Sequence, residues 1–305
     1  MRKLVPLVFV FVFVSNLFAQ KNVQQASVFN TDRPKSMSQR WELDTLSSPG
    51  TFVLTPYKPI YVLPARWTSY AQGMPRSGNP GEQYNNTNNL NMNNIEAKFQ
   101  LSFKMKIFQG LFWGHGDLWG AYTQKSHWQV YNATLSRPFR EINYEPELIL
   151  NFATNVDLWG VKNRLLGVSF NHQSNGRDLP NSRSWNRIII QAGFETGDWQ
   201  IYLRPWFRMP DKRGDDDNPD ITSYIGRGEA IGIYSHGNYM VTLTGSSNFQ
   251  MDKSFRGYAE ASLSYKIKGN LKGYLQVTHG YGETLIDYNN RQTTVGLGIS
   301  LIEWL

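Results

Sequence analysis

Glu96-Ala97-Lys98-Phe99-Gln100-Leu101-Ser102-Phe103-Lys104-Met105-Lys106-Ile107 alternates in polarity without a break. Ala97, Phe99, Leu101, Phe103, Met105 and Ile107 are apolar, and the residues between them are polar or charged. Successive side chains of a β-strand point to opposite faces, so a period of two gathers the apolar groups on one side. A mean globular strand has about five or six residues. About ten tilted residues are needed to cross a bilayer as one strand of a barrel. The stretch is long enough for the second role.

The same alternation recurs. Trp199, Ile201, Leu203, Pro205 and Phe207 oppose Gln200, Tyr202, Arg204, Trp206 and Arg208. Ala259, Ala261, Leu263, Tyr265 and Ile267 oppose Glu260, Ser262, Ser264 and Lys266, and Val295, Leu297, Ile299 and Leu301 form the last stripe. Strands are expected to start near 52, 96, 117, 143, 161, 185, 198, 221, 238, 256, 270 and 292. That is an even number, as a closed bacterial barrel needs. The expectation is an all-β protein, a twelve-stranded antiparallel transmembrane β-barrel over residues 51–305. The uniformly apolar face is assigned to lipid. The mixed face, with Lys98, Arg204 and Glu260, is assigned to the lumen, where Arg204 and Glu260 could pair and plug it. A soluble β-sandwich would invert these faces; strand length argues against it.

Composition agrees. Aromatic residues make up 14% of the chain and charged residues 18%, below the roughly 25% charged of soluble domains. The net charge of +7 comes from scattered Lys and Arg with no long like-charge block, which argues against a nucleic-acid partner. There is no cysteine, so an exported chain must be held by something other than disulfides, such as a closed hydrogen-bonded sheet. Met1-Arg2-Lys3, the apolar run Leu4–Val14 and a small residue at Ala19 read as a secretory signal peptide over residues 1–19. That run is too short to span as a helix. Residues 20–50 have no sustained period and are expected to form an N-terminal periplasmic extension, partly disordered. Pro75–Asn94, rich in Gly, Pro and Asn, reads as a loop.

One stripe is interrupted by chemistry. Leu166, Val168 and Phe170 share a face that continues into His172 and Ser174. Asn186, Ile188, Ile190 and Ala192 form the matching face of the next strand. A hairpin centred on residue 179 sets Asn186 opposite His172, with Cβ atoms about 4.5–5.5 Å apart. Ser174 lies about 6.5–7 Å farther along the strand. Nucleophile, base and a neutral orienter then form a triad on the lipid-facing wall. Polar groups in that setting are expensive and point to function. The other histidines, His115, His127, His236 and His279, show no spacing suited to zinc and are expected at the surface or girdle.

His172-Gln173-Ser174-Asn175-Gly176-Arg177 followed by Asn181-Ser182-Arg183-Ser184-Trp185-Asn186-Arg187 resembles the signature of the outer membrane phospholipase A family. Tyr122–Ser126, Pro138–Glu141, Asn143–Pro146, Asp217–Ile221, Gly280–Glu283 and Leu285–Asn289 also match, so the resemblance runs from about Phe52 to the end. It implies a twelve-stranded barrel in the bacterial outer membrane, with the active site toward the outer leaflet. It implies calcium-dependent hydrolysis of phospholipid acyl esters, with Ser174 as nucleophile, His172 as base and Asn186 as orienter. It further implies a homodimer when active. The Arg177 carbonyl, the Ser182 hydroxyl and a partner's Ser136 carbonyl would hold the calcium ion, with Asp217 nearby. Gln124 matches an interfacial glutamine, and a second Gln124 across a dimer would partner its amide. The Gly176 amide is the candidate oxyanion donor. The rival from another class is a non-enzymatic barrel, a porin or adhesion scaffold.

Overall fold

The computed structural model describes residues 35–44, 48–212 and 214–304. The expected signal segment 1–19 lies outside the described residues. The described residues form thirteen strands: β1 (Leu54–Pro56), β2 (Ile60–Thr68), β3 (Ile95–Phe108), β4 (Asp117–Trp128), β5 (Phe139–Leu158), β6 (Val161–Ser174), β7 (Ser184–Thr196), β8 (Trp199–Met209), β9 (Gly228–His236), β10 (Tyr239–Ser247), β11 (Gly257–Lys268), β12 (Leu271–Gly280) and β13 (Gln292–Ile302). All pairings are antiparallel.

β1 and β2 lie end to end along β3, Leu54 opposite Met105 and Tyr61 opposite Gln100. Pro56 and Pro59 flank the break, since neither can donate to a ladder. Counted as one broken stave they make the barrel twelve-stranded, and β13 pairing with β2 closes it (Val295 opposite Trp67). The expected starts match closely except one. Ile221–Ser223 is a short 3-10 turn and β9 begins at Gly228. Ile221 is apolar because it packs, fully buried, against the cluster of Trp185 and Trp206 at the barrel mouth.

The faces fall as the alternation requires. Glu96, Lys98, Gln100, Ser102, Lys104 and Lys106 are buried inside, whereas Leu101, Leu166, Val168, Phe170, Leu263 and Leu297 are exposed outside. Only an apolar exterior is compatible with acyl chains, so the charges are driven inward and must pair there. Glu96 accepts from Arg66 (2.7 Å) and Arg140 (2.8 Å), while Glu283 bridges Lys98 (2.7 Å) and Arg66 (3.2 Å). Two sequence expectations need correction. Arg204 does pair inside the lumen, but with Glu147 (2.6 Å) and Glu229 (2.9 Å) rather than Glu260, whose partner is the Tyr258 hydroxyl (2.8 Å). His127 is not a girdle residue: it is fully buried, Nδ1 bonded to Glu96 at 2.9 Å. Its odd position on β4 puts it on the inward face.

Short turns join the strands at one end, as at Trp159-Gly160 and Gly197-Asp198, and long loops at the other. In outer-membrane barrels the short turns are periplasmic and the long loops extracellular. The turn end is filled by a helix, α1 (Met37–Trp41), with Ser36 as a reciprocal capping box. Trp41 packs edge-on against Tyr57 and Trp119, and the Lys104 ammonium sits 3.6 Å above its ring. Arg40 lies between Tyr202 and Trp304, 5.2 Å from each ring. Glu42 pairs with Lys106 (3.0 Å). This part of the segment read as an aperiodic extension is therefore packed in the lumen; five helical residues are too few to print a 3.6-residue period.

Candidate active site

β6 ends Asn171-His172-Gln173-Ser174, and β7 begins Ser184-Trp185-Asn186. The ladder places His172 directly opposite Asn186 and Ser174 opposite Ser184. His172, Ser174 and Asn186 are half-buried on the outward face, continuing the exposed stripe of Leu166, Val168 and Phe170. The neighbouring inward residue Asn171 is instead committed to the lumen through Glu145 (3.0 Å) and Arg187. Alternation alone thus decides which polar side chains meet lipid.

His172 Nδ1 and Asn186 Oδ1 are 2.8 Å apart. A carboxamide oxygen only accepts, so the ring donates from Nδ1 and Nε2 is left with its lone pair. Ser174 follows on the same face. On its other flank Ser174 pairs with Tyr144 of β5, and Tyr144 pairs with Gln124 of β4. Gln124 and Ser174 therefore share one transverse row, two strand spacings or about 10 Å apart. The Gln124 amide already has partners in its own strand. It accepts from the Tyr122 hydroxyl (3.0 Å) and donates to Ser126 (3.1 Å).

The loop after Ser174 is built on Asn175, which is buried. Its Oδ1 accepts from the Arg183 backbone (3.0 Å) and its Nδ2 donates to the Asn181 carbonyl (2.8 Å). Sequence reading passed over Asn175, although it stands inside the quoted motif, because its role is to bond a loop to itself. Gly176 has φ +61° and a Cβ there would lie 3.0 Å from the Tyr144 ring. Both facts favour glycine at this position.

The expected calcium contacts are partly brought together. Ser182 donates to Asp217 Oδ2 at 2.5 Å. The Ser77 hydroxyl donates to the Asp217 carbonyl, and the Ser184 backbone donates to Asn218 Oδ1 (3.0 Å). Asp216 is committed to Arg208, with both carboxylate oxygens at 2.7 Å. Arg177 turns its guanidinium to the carbonyls of Phe139 (2.9 Å) and Arg140 (2.8 Å). Ser136 is exposed in the β4–β5 loop at φ 58°, and among the described residues no hydrogen bond joins it to Ser182 or Asp217. Among the described residues no three His, Asp or Glu gather as metal ligands. A hydroxyl beside a carboxylate nonetheless suits a hard cation that takes oxygen ligands.

The extracellular loops are knitted above the site. The Tyr288 hydroxyl accepts from the Gly78 amide (2.8 Å) and donates to Asp220. Burial, then the Asp220 hydrogen bond and charge, push the Tyr288 hydroxyl up, so it stays a neutral donor.

The phospholipase A1 family model matches residues 37–301. The chain belongs to the phospholipase A1 family. It is 38% identical to a putative phospholipase A1 of Neisseria meningitidis over 86% of this chain and 69% of that protein. It is 43% identical to the phospholipase A1 of Escherichia coli over 68% of this chain and 69% of that protein. Among solved structures it resembles the outer membrane phospholipase A from Escherichia coli, with TM-score 0.72 and 36% identity over 83% of this chain and all of that one. It also resembles the Salmonella typhi outer membrane phospholipase dimer with bound calcium, with TM-score 0.74 and 37% identity over 85% and 96% of the two chains. Membership in this family, together with the closed barrel, makes the chain a bacterial outer-membrane enzyme.

Proposed function

We propose that this chain hydrolyses the acyl esters of membrane phospholipids through an acyl-serine intermediate. The observation that carries the reading is the His172–Asn186 hydrogen bond on the lipid-facing wall, with Ser174 next on the same face. In the proposed reaction Ser174 Oγ attacks the ester carbonyl while His172 Nε2 takes its proton. The carbonyl π pair moves to oxygen, and the Gly176 amide donates to that oxyanion. Collapse expels the glycerol oxygen, which receives the proton from His172. Water, activated by the same nitrogen, then releases the fatty acid. Asn186 keeps Nε2 aimed at Ser174 throughout.

Ser182, Asp217 and the Arg177 carbonyl are the proposed calcium contacts, completed by Ser136 of a second copy. A bound calcium ion would supply positive charge to the oxyanion region. The Gln124–Tyr144–Ser174 row gives a physical reason for a dimer. One convex wall offers an acyl chain half a groove, and a second wall against β4–β6 would complete it. The porin alternative is disfavoured by the ion-paired lumen and by α1 filling its turn end. Activity of Ser174→Ala on detergent-dispersed phospholipid with calcium tests the proposal. Turnover near that of the parent enzyme would sink it.

A further inference from the structure

Round the barrel from the active site, the outer wall of β8–β12 is hollowed into an apolar groove of about 550 Å³. Its floor is the directly paired row Ala230–Gly245–Ala259, with Gly232 and Ala261 beside it. Trp199, Ile201, Leu243 and Val277 form its walls. The row ends at His279, which pairs with Ala259 on β11 and with Thr293 on β13. From Ala230 to His279 it crosses three strand spacings, about 14 Å.

His279 is at the long-loop end of β12, exposed on the outer wall. Arg291 donates from Nη2 to His279 Nε2 (3.0 Å). The ring proton is then on Nδ1, which faces Thr293 Oγ1 at 2.7 Å. His279 thereby steers an exposed guanidinium to the upper end of the groove. A cation at the extracellular rim above an apolar hollow in a lipid-facing wall has the charge and shape complement of one kind of ligand. It needs an anionic head at the interface and an acyl chain below it. Arginine matches a phosphate in particular, through parallel N–H donors.

We propose that this groove is a second lipid site, distinct from the hydrolytic one, which holds one acylated lipid of the outer leaflet with its phosphate headgroup on Arg291. The small floor residues let the chain lie close to the sheet, and Trp199 flanks its lower end. The site rests only on the outer-membrane barrel, not on the assignment of Ser174.

The test uses the full-length protein in detergent micelles. The probe is a dialkyl ether phosphatidic acid, which has no ester to hydrolyse. Bound lipid is counted by native mass spectrometry, and brominated chains report proximity to Trp199 by fluorescence quenching. One probe molecule should be retained per chain, with quenching that is reduced in Trp199→Phe. Loss of a charged hydrogen bond in Arg291→Gln should weaken retention roughly ten-fold or more. Ala259→Leu, which fills the groove from an exposed lipid-facing position, should do the same. The phosphate-free dialkyl glycerol and inorganic phosphate alone should each be retained far less, and Ser174→Ala should bind as the parent does. Retention unchanged in either Arg291→Gln or Ala259→Leu, or equal retention of the dialkyl glycerol, would overturn the proposal. Neither substitution touches the lumen, so the barrel assembles in both.

Discussion

His172 and Asn186 face each other across adjacent antiparallel strands, Nδ1 to Oδ1 at 2.8 Å, on the outside of a barrel. The ladder register fixes this contact, so it exists before any substrate arrives. Asn186→Ala should lower kcat by about ten- to a hundred-fold with little change in KM, because a neutral orienter acts on the base and not on binding. Ser174→Ala should lower kcat at least about a thousand-fold. Initial rates on micellar phospholipid check both, and equal small effects would remove the triad.

Ser182 and Asp217 lie oxygen to oxygen at 2.5 Å. If they hold calcium, Ser182→Ala and Asp217→Asn should each shift the calcium titration of activity to higher concentration, with rescue in excess metal. A chelator should abolish activity and loosen the dimer, read by light scattering. Titration curves that superimpose on the parent's would remove both residues from the site.

Glu283 reaches into the lumen from the β12–β13 loop to hold Lys98 and Arg66, all three about 1% exposed. Burial pushes its carboxyl up, but the Lys98 and Arg66 cations outweigh this and hold it well below the usual carboxylate range. A depressed carboxyl contributes its full stability above its unfolded-state value and loses it progressively as pH falls from there through the folded one. The loop should therefore stay anchored below the ordinary range of glutamate titration, as amide exchange over residues 281–291 would report. Glu283→Gln leaves two buried cations short of charge and should cost about 3–5 kcal/mol in urea unfolding from vesicles.

Trp41 is the keystone of the packing at the turn end, touching Tyr57, Trp119 and the Lys104 ammonium. Trp41→Ala should destabilise the barrel by about 3 kcal/mol or more through the cavity it leaves. It should also raise ion conductance in planar bilayers above that of the parent. Unchanged stability would place α1 outside the packed lumen.

Val168 is exposed in the stripe that leads to His172. Val168→Arg should cost about 2–4 kcal/mol in a bilayer if it lies near the membrane midplane. A water-facing position would tolerate the arginine, so urea unfolding in vesicles separates the two settings.

The sequence by itself determined the barrel, its inside and outside, and the pairing of His172 with Asn186 beside Ser174 on the outer wall. A period of two is a local property of the chain, and hairpin register follows from the short distance between Ser174 and Asn186. It could not determine which charges meet in the lumen. Arg204 finds Glu147 and Glu229 rather than Glu260, and His127 meets Glu96, because which inward side chains touch depends on register and on position across the lumen, not on polarity along the chain. Nor could it show that α1 fills the turn end, that Ile221 is a mouth residue rather than a strand start, or that Gln124, Tyr144 and Ser174 share one row. Those depend on closing twelve staves into a cylinder, which sets the relative stagger of all the strands at once and is decided only in three dimensions.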